Sequence, residues 1–368
     1  MSLRDYFTYH ILTTESRGLN GWMLDSEDLP NSALYINGRF QGLFPGLSAK
    51  KGYGGHPGLI YKLLICAVCY NIKIVGITIS ARENVSETSE PFIETSTSTK
   101  PPSKKTAKPP KPVDLSNPLS YTDKYELMML IIEKLKRDIS RTLTQYVQEE
   151  GIGETDGRNA TDEINRRISE LEIDINPLAG PIRDAAQLSV KLNPDLPKTL
   201  IMISGLEKKK EVEVNKYAST FNTIIGSDKP FQDVKFILTS RSSIDTQSGT
   251  QIRKLMESSN YGELARYLVN AGFLDPELIQ KYGEIIPKFK RGLQRTLSSD
   301  DAEYPDKLLR EMKTAATEKL DTHELTPDES STLTAFVASD KRGGKKSRKR
   351  KRKSKRKSKK RKSYRLRI

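Results

Sequence analysis

"HPGLIYKLLICAVCYNIKIVGITIS", His56–Ser80, changes its period halfway. Over Pro57–Cys69 the apolar residues Leu59, Ile60, Leu63, Leu64 and Ala67 recur at the spacing of one helix face. From Ile72 to Ser80 β-branched residues crowd together instead, which predicts a strand. Upstream, Ala33–Asn37 predicts a short buried strand, and a Gly-rich loop carrying His56 leads from it to the helix. Strand, loop, helix, strand is the opening of a parallel sheet covered by helices.

Two later runs, "KTLIMISG" and "DVKFILTS", ending near Gly205 and Ser240, predict further strands of the same sheet. The expected fold class is α/β, a Rossmann-like parallel sheet flanked by helices, with a disordered insertion and a disordered basic C-terminal tail. Residues 1–30 read as an N-terminal extension, 31–300 as the α/β domain and 301–340 as a helix and linker. Residues 81–116 are so rich in Ser, Thr, Lys and Pro that burial cannot offset their ordering entropy, which predicts a flexible insertion.

A helix is expected after Ser120, which has Asp123 three residues on in a capping-box-like arrangement. Its core stripe reads Tyr121, Tyr125, Met128, Ile132, Leu135 and Ile139. Residues 141–195 read as a polar helical insertion, with a weaker pattern at Ile164, Ile168 and Leu171. Helices are expected near 262–270, near 276–286 behind Asp275 and Pro276, and near 306–320, with Thr326–Asp340 as a polar linker.

The formal charge of +15 suggests a nucleic-acid binder until it is divided along the chain. Residues 341–368 hold 19 Lys and Arg and no acid, so residues 1–340 carry 43 basic and 47 acidic side chains. The basicity is therefore confined to the tail. Cys66 and Cys69 lie within an apolar run with no second pair and no neighbouring His, so buried helical thiols are expected and not a zinc site. The N-terminus has no signal-peptide core, and the longest apolar run, Leu59–Tyr70, is interrupted by Lys62 and too short for a bilayer. A soluble intracellular protein without membrane contact is expected, with Asn84 and Asn159 as chance sequons.

Two phosphate-binding readings compete. Gly52, Gly54 and Gly58 make a broken dinucleotide fingerprint, but fourteen residues separate Asn37 from Gly52, where that motif follows its strand directly. "SGTQIRK", Ser248–Lys254, is the better candidate, because hydroxyls and amides at a helix start, with Arg253 one turn in, suit a polyphosphate.

The order of motifs adds a further signal: "NGRF" (Asn37–Phe40), "GGHPG" (Gly54–Gly58), "NPLSYTDK" (Asn117–Lys124), "SGLEK" (Ser204–Lys208) and "SGTQIR" (Ser248–Arg253). In that order the chain resembles the HIGH-motif nucleotidyltransferase superfamily, particularly the cytidylyltransferase-like and nicotinamide-mononucleotide-adenylyltransferase-like proteins of phages and large DNA viruses. The resemblance spans about Asn31 to Arg291. Tyr53 stands where the family has its first His or Thr, the turn before it is longer, and Leu206 is unusual between Gly205 and Glu207.

The resemblance implies attack by an acceptor phosphate on the α-phosphate of CTP or ATP, with release of pyrophosphate. It implies nucleotide contacts from Gly38, Arg39, Phe40, Gly54, Gly55, His56, Lys124, Gly205, Glu207, Ser248, Thr250 and Arg253, with His56 and Arg253 catalytic. Mg²⁺ would accompany the nucleoside triphosphate; no metal-ligand cluster in the sequence calls for it. The tail suggests attachment to nucleic acid or a nuclear address, so host cytoplasm, nucleus or virion are the expected sites of a viral protein. If the tail neutralises Z phosphates, log affinity falls with log salt at a slope of about −0.9Z. A second reading keeps the domain as a catalytically inactive scaffold and gives the work to the tail.

Overall fold

The computed structural model describes residues 2–11, 29, 31–38, 40, 43–45, 55–80, 119–152, 159–178, 180–206, 219–240, 261–291, 303–322 and 325–339. The expected insertion at 81–116, the tail at 341–368, and Arg39, Tyr53, Gly54, Glu207, Ser248, Thr250 and Arg253 lie outside them.

The elements in chain order are α1 (Leu3–Tyr6), β1 (Ser32–Gly38), α2 (Gly55–Cys69), β2 (Ile74–Ile79), α3 (Tyr121–Glu149), α4 (Ala160–Ser169) and β3 (Glu172–Pro177). There follow α5 (Pro181–Gln187), β4 (Thr199–Leu206), β5 (Asp233–Ser240), α6 (Tyr261–Asn270), α7 (Pro276–Arg291), α8 (Tyr304–Thr322) and α9 (Pro327–Ala338). All five strands are parallel, in the order β3-β2-β1-β4-β5. The α/β class and the Rossmann-like sheet expected from the sequence are what the chain adopts.

Alternation along the strands sorts the core into two layers. Leu34, Ile36, Val75, Ile77, Ile201 and Ile203 face the larger layer, packed with side chains of α2, α3, α4 and the C-terminal helices. Ala33, Tyr35, Ile74, Leu200 and Met202 face the smaller one, against Ala185, Leu188 and Phe231. Each central strand is therefore buried on both faces, which is why these strands read as unbroken apolar runs. Asn31 closes the amino edge, where its buried amide donates to the carbonyls of Asn193 and Leu196 at 3.0 Å and its oxygen accepts from the Asn193 N–H at 2.8 Å.

Three details differ from the sequence-based expectation. Tyr125, assigned to the core stripe of α3, is exposed, whereas Met128, Ile132, Leu135 and Ile139 are buried. Within 141–195, α4 matches the expected helical pattern, but the chain also forms β3, whose Glu172 and Asp174 both pair with Lys191. Charged residues on an edge strand discourage pairing with another chain and also mask the apolar signal of Ile173 and Ile175. Residues expected as a polar linker after Thr326 form α9, opened by a capping box between Thr326 and Glu329.

Cys66 and Cys69 are buried on α2, and burial pushes both thiols up, which keeps them protonated and unreactive. Among the described residues no helix is long and apolar enough to cross a membrane.

Candidate functional site

The two central strands part before they end. β1 and β4 pair from Ser32–Thr199 to Tyr35–Met202. Beyond that, β1 continues against β2 to Gly38 and β4 continues against β5 to Leu206. The chain also reverses its direction of winding between them, since β2 and β3 lie on one side of β1, and β4 and β5 on the other. In open α/β sheets the crevice at such a point, at the carboxyl ends of the strands, is where ligands bind.

The residues bordering this crevice explain one another. Phe40 and Leu43 adopt φ of 43° and 52°, a left-handed conformation that bulky side chains rarely take. Phe40 thereby turns its ring back over β1, and a Cβ added at Gly38 would lie 3.1 Å from that ring. A Cβ there would make the ring give by a few tenths of an ångström. The Phe40 ring is buried, with its centroid 5.5 Å from that of His56. Gly55, with φ of 64°, begins α2, so the second residue of the helix is His56. The sequence suggested a histidine on a loop; the chain holds it half-buried in a first turn, among backbone N–H groups that have no partner within the helix.

Left-handed backbone at Phe40 and Leu43 costs of order 1–3 kcal/mol per residue and needs an anchor. One comes from far along the chain: the Tyr282 hydroxyl on α7 donates to the Leu43 carbonyl at 2.7 Å, and its ring stacks on Phe44 at 4.8 Å. Burial pushes the Tyr282 phenol well up, so it remains a donor. Tyr282→Phe is expected to leave a buried carbonyl unsatisfied, at about 1–3 kcal/mol of unfolding free energy in urea denaturation. An unchanged unfolding free energy would mean that the turn after β1 keeps its shape without this bond.

The "SYTDK" segment organises the end of β2. Ser120 caps α3, its hydroxyl accepting from the Asp123 N–H at 3.0 Å. Lys124 is fully buried, and its ammonium donates to the carbonyl of Ser80, the residue after β2, at 3.0 Å. Tyr121 donates to the Ile175 carbonyl of β3 at 2.9 Å. Asp123 accepts from Lys288 at 2.5 Å and lies 3.5 Å from Lys281, which ties α7 to α3. Burial alone would raise the Asp123 carboxyl, but Lys288, with Ser120 and Lys281, carries it below the usual carboxylate range.

Of the residues singled out in the sequence, the structure brings Gly38, Phe40, Gly55 and His56 together at the end of β1. Gly205 lies near the end of β4, paired with Thr239 of β5. Lys124 stands at the neighbouring strand β2, committed to a backbone carbonyl. Sequence reasoning found Asp123 only as a helix-capping residue and missed Tyr282, Lys281 and Lys288. No local pattern marks Tyr282, whose partner lies 239 positions away.

Among the described residues no group of three or more His, Cys, Asp or Glu side chains converges to hold a metal ion. Comparison with protein-family models, with curated proteins and with solved structures finds no match to this chain.

Proposed function

We propose that the chain is a nucleotidyltransferase that transfers a cytidylyl or adenylyl group from a nucleoside triphosphate to a phosphate-bearing acceptor. An acceptor oxygen forms a bond to the α-phosphorus, the bond from that phosphorus to the bridging oxygen breaks, and pyrophosphate leaves with the electron pair. Such chemistry needs positioning and charge stabilisation more than covalent participation.

The observation that carries this reading is the assembly of Gly38, Phe40, Gly55 and His56 at the crevice between β1 and β4. In it, His56 donates a hydrogen bond to a phosphate oxygen as charge builds, and the first turn of α2 adds its N–H groups. Phe40 seats the imidazole, while Lys124 acts as a positioning residue through the end of β2. Ser248, Thr250 and Arg253 follow β5 in sequence, and β5 ends at the same edge of the sheet as β1; they take the β- and γ-phosphates. Mg²⁺, when bound, neutralises phosphate charge, and the triphosphate oxygens would supply its ligands.

The test is the thermal shift of the full chain with Mg²⁺ and each of the four ribonucleoside triphosphates. Inorganic tripolyphosphate serves as the control for simple attraction to the basic tail. One nucleotide is expected to stabilise beyond tripolyphosphate, by about 2.7 kcal/mol at a hundredfold excess over Kd. Equal shifts with tripolyphosphate and all four nucleotides would overturn the reading and leave the tail as the only polyanion-binding feature.

A further inference from the structure

Away from the crevice, α3 and α7 enclose a groove of about 560 Å³. Tyr125, Met129 and Leu130 give it an apolar lining, and Tyr125 is 39% exposed. Glu126, Glu133, Glu277 and Glu284 stand around that lining with a single cation, Lys281. Lys281 is engaged with Asp123, Glu126 and Glu284. Glu133 makes a 3.6 Å contact with Lys136, and Glu277 is exposed on the first turn of α7. The lining carries a net charge of −3 when its four glutamates are set against one lysine.

An apolar lining edged with carboxylates fits one kind of occupant well, a segment dense in Lys and Arg. Their methylene stems lie on apolar surface while the cationic heads reach outward, and a guanidinium stacks on an exposed tyrosine ring. The chain contains such a segment: residues 341–368 hold 19 Lys and Arg and no acid. Its attachment point connects to the groove through two packed helices. The last described residue, Ser339, ends the α9 region, α9 packs on α8, and α8 packs on α7, one wall of the groove.

One helix, α8, therefore stands between the helix that ends at the root of the tail and that wall. An extended segment of that length could span roughly 90 Å, so reach does not limit the contact. We propose that the groove between α3 and α7 is the docking site of the chain's own basic segment, 341–368, in cis. A tethered segment acts at an effective concentration of order 1 mM, so a contact with a dissociation constant of about 0.1 mM is closed about nine-tenths of the time. Electrostatic attachment also makes it reversible by salt or by a competing polyanion, so the groove holds the tail until a nucleic acid takes it. The inference is independent of nucleotidyl transfer.

Zero-length carbodiimide cross-linking of the full chain at submicromolar concentration, followed by peptide mass spectrometry, tests it. Lysines of 345–362 are expected to link to Glu126, Glu133, Glu277 and Glu284 within the monomer, and the links should vanish in about 1 M salt. The double variant Glu133→Gln/Glu277→Gln is expected to lower the yield at the remaining two glutamates about fivefold, with an unchanged circular-dichroism melt. Links spread over exposed carboxylates elsewhere, with none enriched at the groove, would overturn the proposal. So would links found only in dimers, which would give the groove to the tail of a second copy.

Discussion

His56→Ala is expected to slow pyrophosphate release by about 10²–10³-fold with a saturating acceptor, the cost of removing one preorganised donor from a developing phosphate charge. The change is expected to cost far less in stability than in rate, since His56 is only half-buried at a helix start. That separation of rate from stability gives the experiment its force. His56→Asn retains a donor on a shorter side chain and should recover part of the rate. A variant that lost its fold would say nothing about chemistry, so a thermal melt of the same preparation belongs beside every rate. Turnover at the wild-type rate in His56→Ala would remove the imidazole from the mechanism and leave Gly38 and Phe40 as devices of folding.

The three inner strands were legible because they are buried on both faces. Such strands read as short apolar runs, and β1, β2 and β4 stood out in this way, while the edge strand β5 stood out by the apolar run Phe236–Leu238. β3 did not, because an edge strand with Glu172 and Asp174 turned toward Lys191 shows neither a run nor a clean alternation. α9 escaped because only Leu333 and Phe336 of its residues are buried, although Thr326 with Glu329 three places on was a readable start signal. At the candidate site, residue types were visible but geometry was not. Nothing around "NGRFQGL" announces left-handed backbone at Phe40 and Leu43, because the anchor is a tyrosine on α7. The reason for glycine at 38 emerges only when the Phe40 ring is found lying on it.

α7 therefore links the fold to the site, and its seat can be tested at Gly283. A Cβ there would lie 2.5 Å from the Pro305 Cα and 2.9 Å from its nitrogen, at the start of α8. Both atoms are backbone, so no side chain can swing aside and the two helices have to separate. Gly283→Ala gains about 1 kcal/mol of helix propensity. Overpacking against a well-packed neighbour costs about 1–3 kcal/mol, and contact with backbone belongs at the upper end of that range. The clash is expected to win, with a net loss on the order of 2 kcal/mol in urea unfolding. Tyr282 is the adjacent residue, and Lys281 and Lys288 of the same helix hold Asp123. A displaced α7 is therefore expected to loosen the Leu43 anchor and weaken nucleotide binding, although the atoms nearest that Cβ are those of Pro305. Stability raised by the substitution would show that the spacing of α7 and α8 is not set at Pro305. Stability lost with nucleotide binding intact would show that the turn after β1 is held independently of where α7 sits.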